Sequence, residues 1–169
     1  MRRVVVAGVG NVLRGDDGFG PAVVQALESA GPLPPGVRTV EVGIGGLGLV
    51  HELMEGCDAL VVVDAVDRGG APGTLYVLEP EVPAIEAIPE AERPLLARDL
   101  HEVVPGRVLL MARALGILPP VVRIIGCQPA ETEEFSLELS PAVRRSVPAA
   151  LRAIGDFLNA LPAEAAEHG

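Results

Sequence analysis

Four side chains in this sequence have the types and settings to do chemistry together. Asp16 and Asp17 are adjacent in the loop GVGNVLRGDDG, Asp64 closes the apolar run ALVVVD, and His101 stands in DLHEVV. Two carboxylates and one imidazole offer three N/O ligands with open positions. That set suits a divalent transition ion such as Zn, Ni, Mn or Fe, and sequence physics does not choose among them. Asp16 and Asp17 also suit a simpler purpose, because an Asp at a helix start caps free N–H groups and favours the positive dipole end. One carboxylate suffices for that, which leaves the other free. Asp64 is the sharper signal: a carboxylate at the end of a buried strand is costly to desolvate without a partner, although an Asp after a strand also forms turns. His101 precedes a helix, where the dipole disfavours imidazolium and keeps the ring in its neutral, ligating form.

The remaining candidates read as structural. His51 follows the GIGG turn on a short helix and reads as a surface or half-buried residue, His168 lies in the tail, and Asp67 in DAVDRGG reads as a turn residue. Neither His51 nor His101 starts an HExxH motif, since position i+4 is Glu55 in one case and Pro105 in the other. No GxSxG occurs. Cys57 and Cys127 are far apart beside apolar runs and read as buried reduced thiols. Gly8-Val9-Gly10 resembles the opening of a dinucleotide fingerprint, but Leu13 takes the third glycine's place. The two Asp would also repel a pyrophosphate at the helix start.

A formal charge of −10 and an aromatic content of 2% exclude nucleic acid, which needs a basic face and stacking platforms. No apolar run approaches the roughly 18 residues of a membrane span. The opening MRRVVVAGVG is too short for a signal peptide and reads as a first strand, so the expected location is cytoplasmic.

The elements that must position these residues alternate between strand and helix. RVVVAG (residues 3–8) and the uniformly apolar ALVVVD (59–64) read as strands, the first buried on both faces, and residues 37–42 and 121–127 read as two further strands. Helices are expected with Phe19, Val23 and Leu27 on one stripe, from about Leu47 to Glu55, from about Val104 to Leu115, and from Ser140-Pro141 through Leu161. TLYVLE (74–79) follows the third strand too closely for a parallel crossover and reads as an antiparallel edge strand. Residues 80–98 read as an irregular segment. The expected fold is α/β: a three-layer sandwich with a mainly parallel five-stranded sheet, helices on both faces and one antiparallel edge strand. Residues 1–162 are expected to form a single domain and residues 163–169 a frayed tail. In such folds ligands bind beyond the carboxyl ends of the strands, where GNVLRGDD, GIGG, Asp64 and CQPAETEE all fall.

GVGNVLRGDDGFG, GIGG, VVVDAVDRGGAPGT, DLHEVV and IIGCQPAETEEFSLELSPAV, in this order, resemble the [NiFe]-hydrogenase maturation endopeptidases across almost the whole chain. The resemblance implies a five-stranded sheet between helices. It also implies an endopeptidase that removes the C-terminal extension of a hydrogenase large-subunit precursor after nickel insertion. Carried over by motif, the nickel-contacting residues correspond to Asp17, Asp64 and His101, with Asp16 a competitor for Asp17. The nickel is supplied by the precursor, so no resident cofactor is expected, and the partner is the precursor rather than nucleic acid or membrane. No catalytic residue is assigned. Two other readings stand beside it: a small-molecule hydrolase holding a resident ion at the same residues, and a Rossmann-type nucleotide-binding module.

Overall fold

The computed structural model describes residues 2–43, 46–93 and 104–162. Among these, β1 (Val4–Val9) leads through a 3-10 turn (Gly15–Gly18) into α1 (Phe19–Ser29), β2 (Val37–Val42), α2 (Leu47–Met54), β3 (Ala59–Ala65) and β4 (Leu75–Leu78). A second 3-10 turn (Ile85–Ala87), α3 (Val104–Ala114), β5 (Val121–Cys127) and α4 (Pro141–Ala160) complete the order. The sheet order is β2-β1-β3-β5-β4. All pairings are parallel except β4 with β5, which places β4 as the antiparallel edge strand. The sheet order and directions match the expected ones, with β1 displaced by one residue, β3 extended by one and β4 shorter by one residue at each end.

β1 and β3 are central and apolar because both of their faces are covered. Side chains alternate across a strand, and the core divides accordingly. Val6, Val61, Val63 and Ile125 pack with Phe19 and Val23 of α1 and Val143 and Ile154 of α4. Val5, Leu60 and Val62 pack with Leu49 and Leu53 of α2 and Val108, Leu109 and Ala112 of α3. The result is three layers. Pro148 lies inside α4.

Glycine lets α1 approach the sheet closely. A Cβ on Gly20 would stand 2.3 Å from the Val63 carbonyl oxygen and 2.4 Å from that of Val9. The Gly8-Gly20 contact therefore draws the start of α1 onto the carboxyl ends of β1 and β3. Gly10, at φ +144°, has the Asp17 carbonyl where a side chain would be. These glycines serve packing and a tight loop rather than a phosphate.

The middle of the GIGG turn (Ile44-Gly45), His101 and residues 163–169 lie outside the described residues. No helix among the described residues is long and apolar enough to cross a membrane.

Candidate functional site

β1 and β3 run side by side with Gly8 opposite Val63, so the loop after β1 and Asp64 emerge at the same sheet edge. Asp64 is only 7% exposed. By strand alternation it shares the face of Leu60 and Val62, the side covered by α2 and α3. Burial pushes its carboxyl well above the usual carboxylate range, and the nearby negative charge of Asp17 pushes it further; a hydrogen bond from the backbone of Ala65 opposes both. Asp17 and Asp64 thus lie close enough at this edge for their charges to interact. Asp17 is half-buried and is fixed by the loop it closes, its Oδ2 accepting the Asn11 N–H at 2.9 Å. The Asn11 side chain in turn accepts the Leu13 N–H at 3.0 Å.

Asp16 points elsewhere. It is 1% exposed, and its Oδ2 accepts the N–H groups of Ala130 (2.8 Å) and Glu131 (3.1 Å) and the Ser140 hydroxyl (2.9 Å). Its Oδ1 accepts the Ser140 N–H at 2.7 Å. Asp16 therefore ties the first loop to the segment between β5 and α4. Neither Asp caps a helix: Gly18 is the N-cap of α1, and no side chain bonds the start of the 3-10 turn. Ser140 occupies the N-cap of α4 as expected, but its hydroxyl is diverted to Asp16 and makes no cap bond. The expectation that one of the paired carboxylates would serve as a cap is corrected by these long-range partners.

A second anchor holds the chain beyond Asp64. The buried Gln128 accepts at its Oε1 from the N–H of Arg68 (2.8 Å), the N–H of Gly70 (3.2 Å) and the Tyr76 hydroxyl (3.0 Å). Its Nε2 donates to Asp67 at 2.8 Å. Asp67 also accepts the Gly69 N–H, the turn role expected for it, and these two donors hold its carboxyl below the usual range. Gln128 was legible only as part of CQPAE; its buried role depends on partners about sixty residues away in sequence.

His51 is exposed on α2, as expected. Cys57 and Cys127 are free thiols; Cys127 is buried and Cys57 only half-buried. Burial pushes Cys57 up to about 11 and Cys127 upward as well. Neither is a poised nucleophile. Among the described residues no group of three His, Cys, Asp or Glu has metal-binding geometry. Two carboxylates are the donor chemistry of a hard or borderline cation, and a cation between them would relieve their repulsion.

Comparison with known proteins agrees with this architecture. The sequence model of the hydrogenase maturation protease family (HycI) matches residues 21–156. The hydrogenase expression/formation protein HupD of Rhodobacter capsulatus is 39% identical over 142 residues, covering 83% of this chain and 64% of that protein. The HoxM protein of Azotobacter vinelandii is 37% identical over 156 residues, covering 92% of this chain and 72% of HoxM. Thus the chain spans about two thirds of the length of these relatives. Among solved structures, the hydrogenase 2 maturation peptidase of Thaumarchaeota archaeon SCGC_AB-539-E09 aligns with a TM-score of 0.67 at 38% identity, over 93% of this chain and 98% of that one. The hydrogenase maturating endopeptidase HybD of E. coli aligns with a TM-score of 0.74 at 30% identity, over 93% and 92%. With the fold, the paired carboxylates and these likenesses together, the chain belongs to the hydrogenase maturation protease family.

Proposed function

We propose that this protein is a cytoplasmic endopeptidase that removes the C-terminal extension of a [NiFe]-hydrogenase large-subunit precursor once nickel is in place. Asp17, Asp64 and His101 recognise that nickel. The observation that supports the reading is the proximity of Asp17 to the buried Asp64 at the carboxyl edge of the parallel strands. Nickel arrives as part of the substrate, and the two carboxylates supply oxygen ligands for it. Because Asp64 is nearly dry, a divalent cation is the partner that makes its ionised form affordable there. The four hydrogen bonds that occupy Asp16 favour Asp17 over it as the ligand.

Topology supports His101 as the third ligand. β5 starts at the opposite edge of the sheet, and α3 ends shortly before it. An 11-residue helix spans about 16 Å, so an α3 that runs back across the sheet into β5 would begin, at Val104, near the edge that holds Asp64. Imidazole adds a borderline nitrogen donor suited to nickel.

The test is processing of a nickel-loaded precursor, read as a mass decrease. Asp17→Asn, Asp64→Asn and His101→Ala are expected to stay folded and leave the precursor uncut, while His51→Ala processes it normally. Loss of activity in His51→Ala with His101→Ala still active would overturn the ligand assignment.

A further inference from the structure

Between β5 and α4 the chain forms a ledge against the first loop. The Ser136 N–H donates to the Leu13 carbonyl at 3.0 Å, and the Ser136 carbonyl accepts the Gly15 N–H at 2.9 Å. Asp16 clamps the same two segments at Ala130, Glu131 and Ser140. The backbone is therefore held in place, yet the side chains it presents are apolar. Phe135 is 78% exposed and Leu137 70%, while Ser136 between them turns inward, the alternation of an extended segment. Leu13, whose carbonyl takes the Ser136 N–H, and Val12 before it are each 46% exposed. The chain has three phenylalanines, and the other two pack into the core. A rigid, exposed aromatic beside a functional edge is the form of a binding anchor, because little conformational freedom is lost on contact.

The charge around the ledge narrows the occupant. Glu131, Glu133, Glu134 and Glu138 flank Phe135 and Leu137 in the chain, while among the described residues only Arg14 (with Glu133, 3.0 Å) and Arg144 (with Glu138, 3.6 Å) pair with them. The N–H groups of Glu133 and Glu134 hold the Glu131 carboxyl below its usual range and keep it anionic. Asp16 and Asp17 add to the same sign on the same side of the molecule.

We propose that Val12, Leu13, Phe135 and Leu137 form a docking ledge for a segment of the substrate polypeptide that is apolar and carries lysine or arginine. The ledge seats this segment while the metal-bearing part of the substrate meets Asp17 and Asp64. The inference rests on the precursor being the substrate, and it assigns to the ledge an affinity that the metal ligands do not supply.

The experiment uses the full chain with a nickel-loaded large-subunit precursor from the same genome, measuring both cleavage kinetics and binding to the non-cleaving Asp17→Asn protein. Phe135→Ser and Leu137→Ser, at exposed positions, should melt with the wild type. Phe135→Ser should raise KM about 30-fold, the scale of truncating a hot-spot aromatic, with kcat within about twofold. It should weaken binding to the Asp17→Asn background by the same factor. Affinity should also fall between low and high salt, as a charge-complementary contact requires. Unchanged KM and binding in both ledge variants, with Asp17→Asn inactive, would overturn the ledge and leave the peptidase reading intact. If wild-type protein binds no precursor, both fall. A dimer that Phe135→Ser dissociates without a change in KM would assign the ledge to a second copy of the chain instead.

Discussion

Replacing Asp16 with alanine removes the carboxylate that joins the first loop to the segment before α4. Four donors lose their acceptor: the N–H groups of Ala130, Glu131 and Ser140, and the Ser140 hydroxyl. A hydrogen bond to a charged group contributes about 1.5–3 kcal/mol net, so four at full value would exceed any reasonable single-site effect. The true cost is smaller, because the Ser140 hydroxyl can rotate to another acceptor and Ala130 and Glu131 are near water. About two bonds' worth, roughly 3–6 kcal/mol, remains, and because single substitutions rarely exceed about 5 kcal/mol the expected cost is roughly 3–5 kcal/mol. In a domain of this size each kcal/mol moves the melting temperature by about 2–4 °C, so Asp16→Ala should melt about 6–20 °C below wild type. Asp16→Asn should fall between the two, since its amide nitrogen must face a donor. Ser140→Ala, which loses only the hydroxyl contact, should cost about 1 kcal/mol. Thermal unfolding followed by far-UV circular dichroism reads all three. An Asp16→Ala protein melting within about 2 °C of wild type would refute the clamp.

Other outcomes follow from the same geometry. Gly20→Ala should destabilise by about 3 kcal/mol or more, because every atom its Cβ would meet first is backbone of Val63 or Val9. Gly48→Ala, with open space at its Cβ, should be neutral or gain up to about 1 kcal/mol of helix propensity; chemical denaturation compares the pair. Asp64→Asn should abolish processing yet raise stability in metal-free buffer. The raised Asp64 carboxyl favours the folded state below its unfolded value, near 4, and that contribution is lost as pH rises towards the folded value. The advantage of the Asn variant should therefore grow from about pH 4 upward, and an advantage that shrinks would contradict the burial argument. Cys57, raised from 9.0 to about 11, should hold roughly a hundredfold less thiolate at neutral pH than an ordinary thiol and alkylate correspondingly slowly. Its contribution to stability is lost as pH climbs from about 9 through 11.

What was legible in the sequence is what local pattern controls. The uniformly apolar β3 announces a strand covered on both faces, and the carboxylate that ends it announces the ligand edge; the short step to Leu75–Leu78 forces an antiparallel edge strand. Asp17 and Asp64 come together because adjacent parallel strands deliver their ends to one place. What was hidden depends on partners distant in sequence. Asp16 and Asp17 look alike locally, and only the chain some 114 to 124 residues away separates a clamp from a free carboxylate. The diversion of the Ser140 hydroxyl has the same cause. Gly8-Val9-Gly10 resembles only the opening of a dinucleotide fingerprint, and the use of Gly8, a close helix-sheet approach with Gly20, needs the tertiary contact to be seen. His101 rests on its motif and on the direction of α3.

The most direct measurement compares a nickel-loaded large-subunit precursor with the same precursor prepared without nickel, each incubated with wild-type protein and read by mass spectrometry. If Asp17, Asp64 and His101 recognise nickel carried by the substrate, only the loaded precursor loses its C-terminal extension. The nickel-free precursor stays intact because the three side chains have nothing to bind together. Efficient cleavage of the nickel-free precursor in the presence of chelator would contradict that recognition.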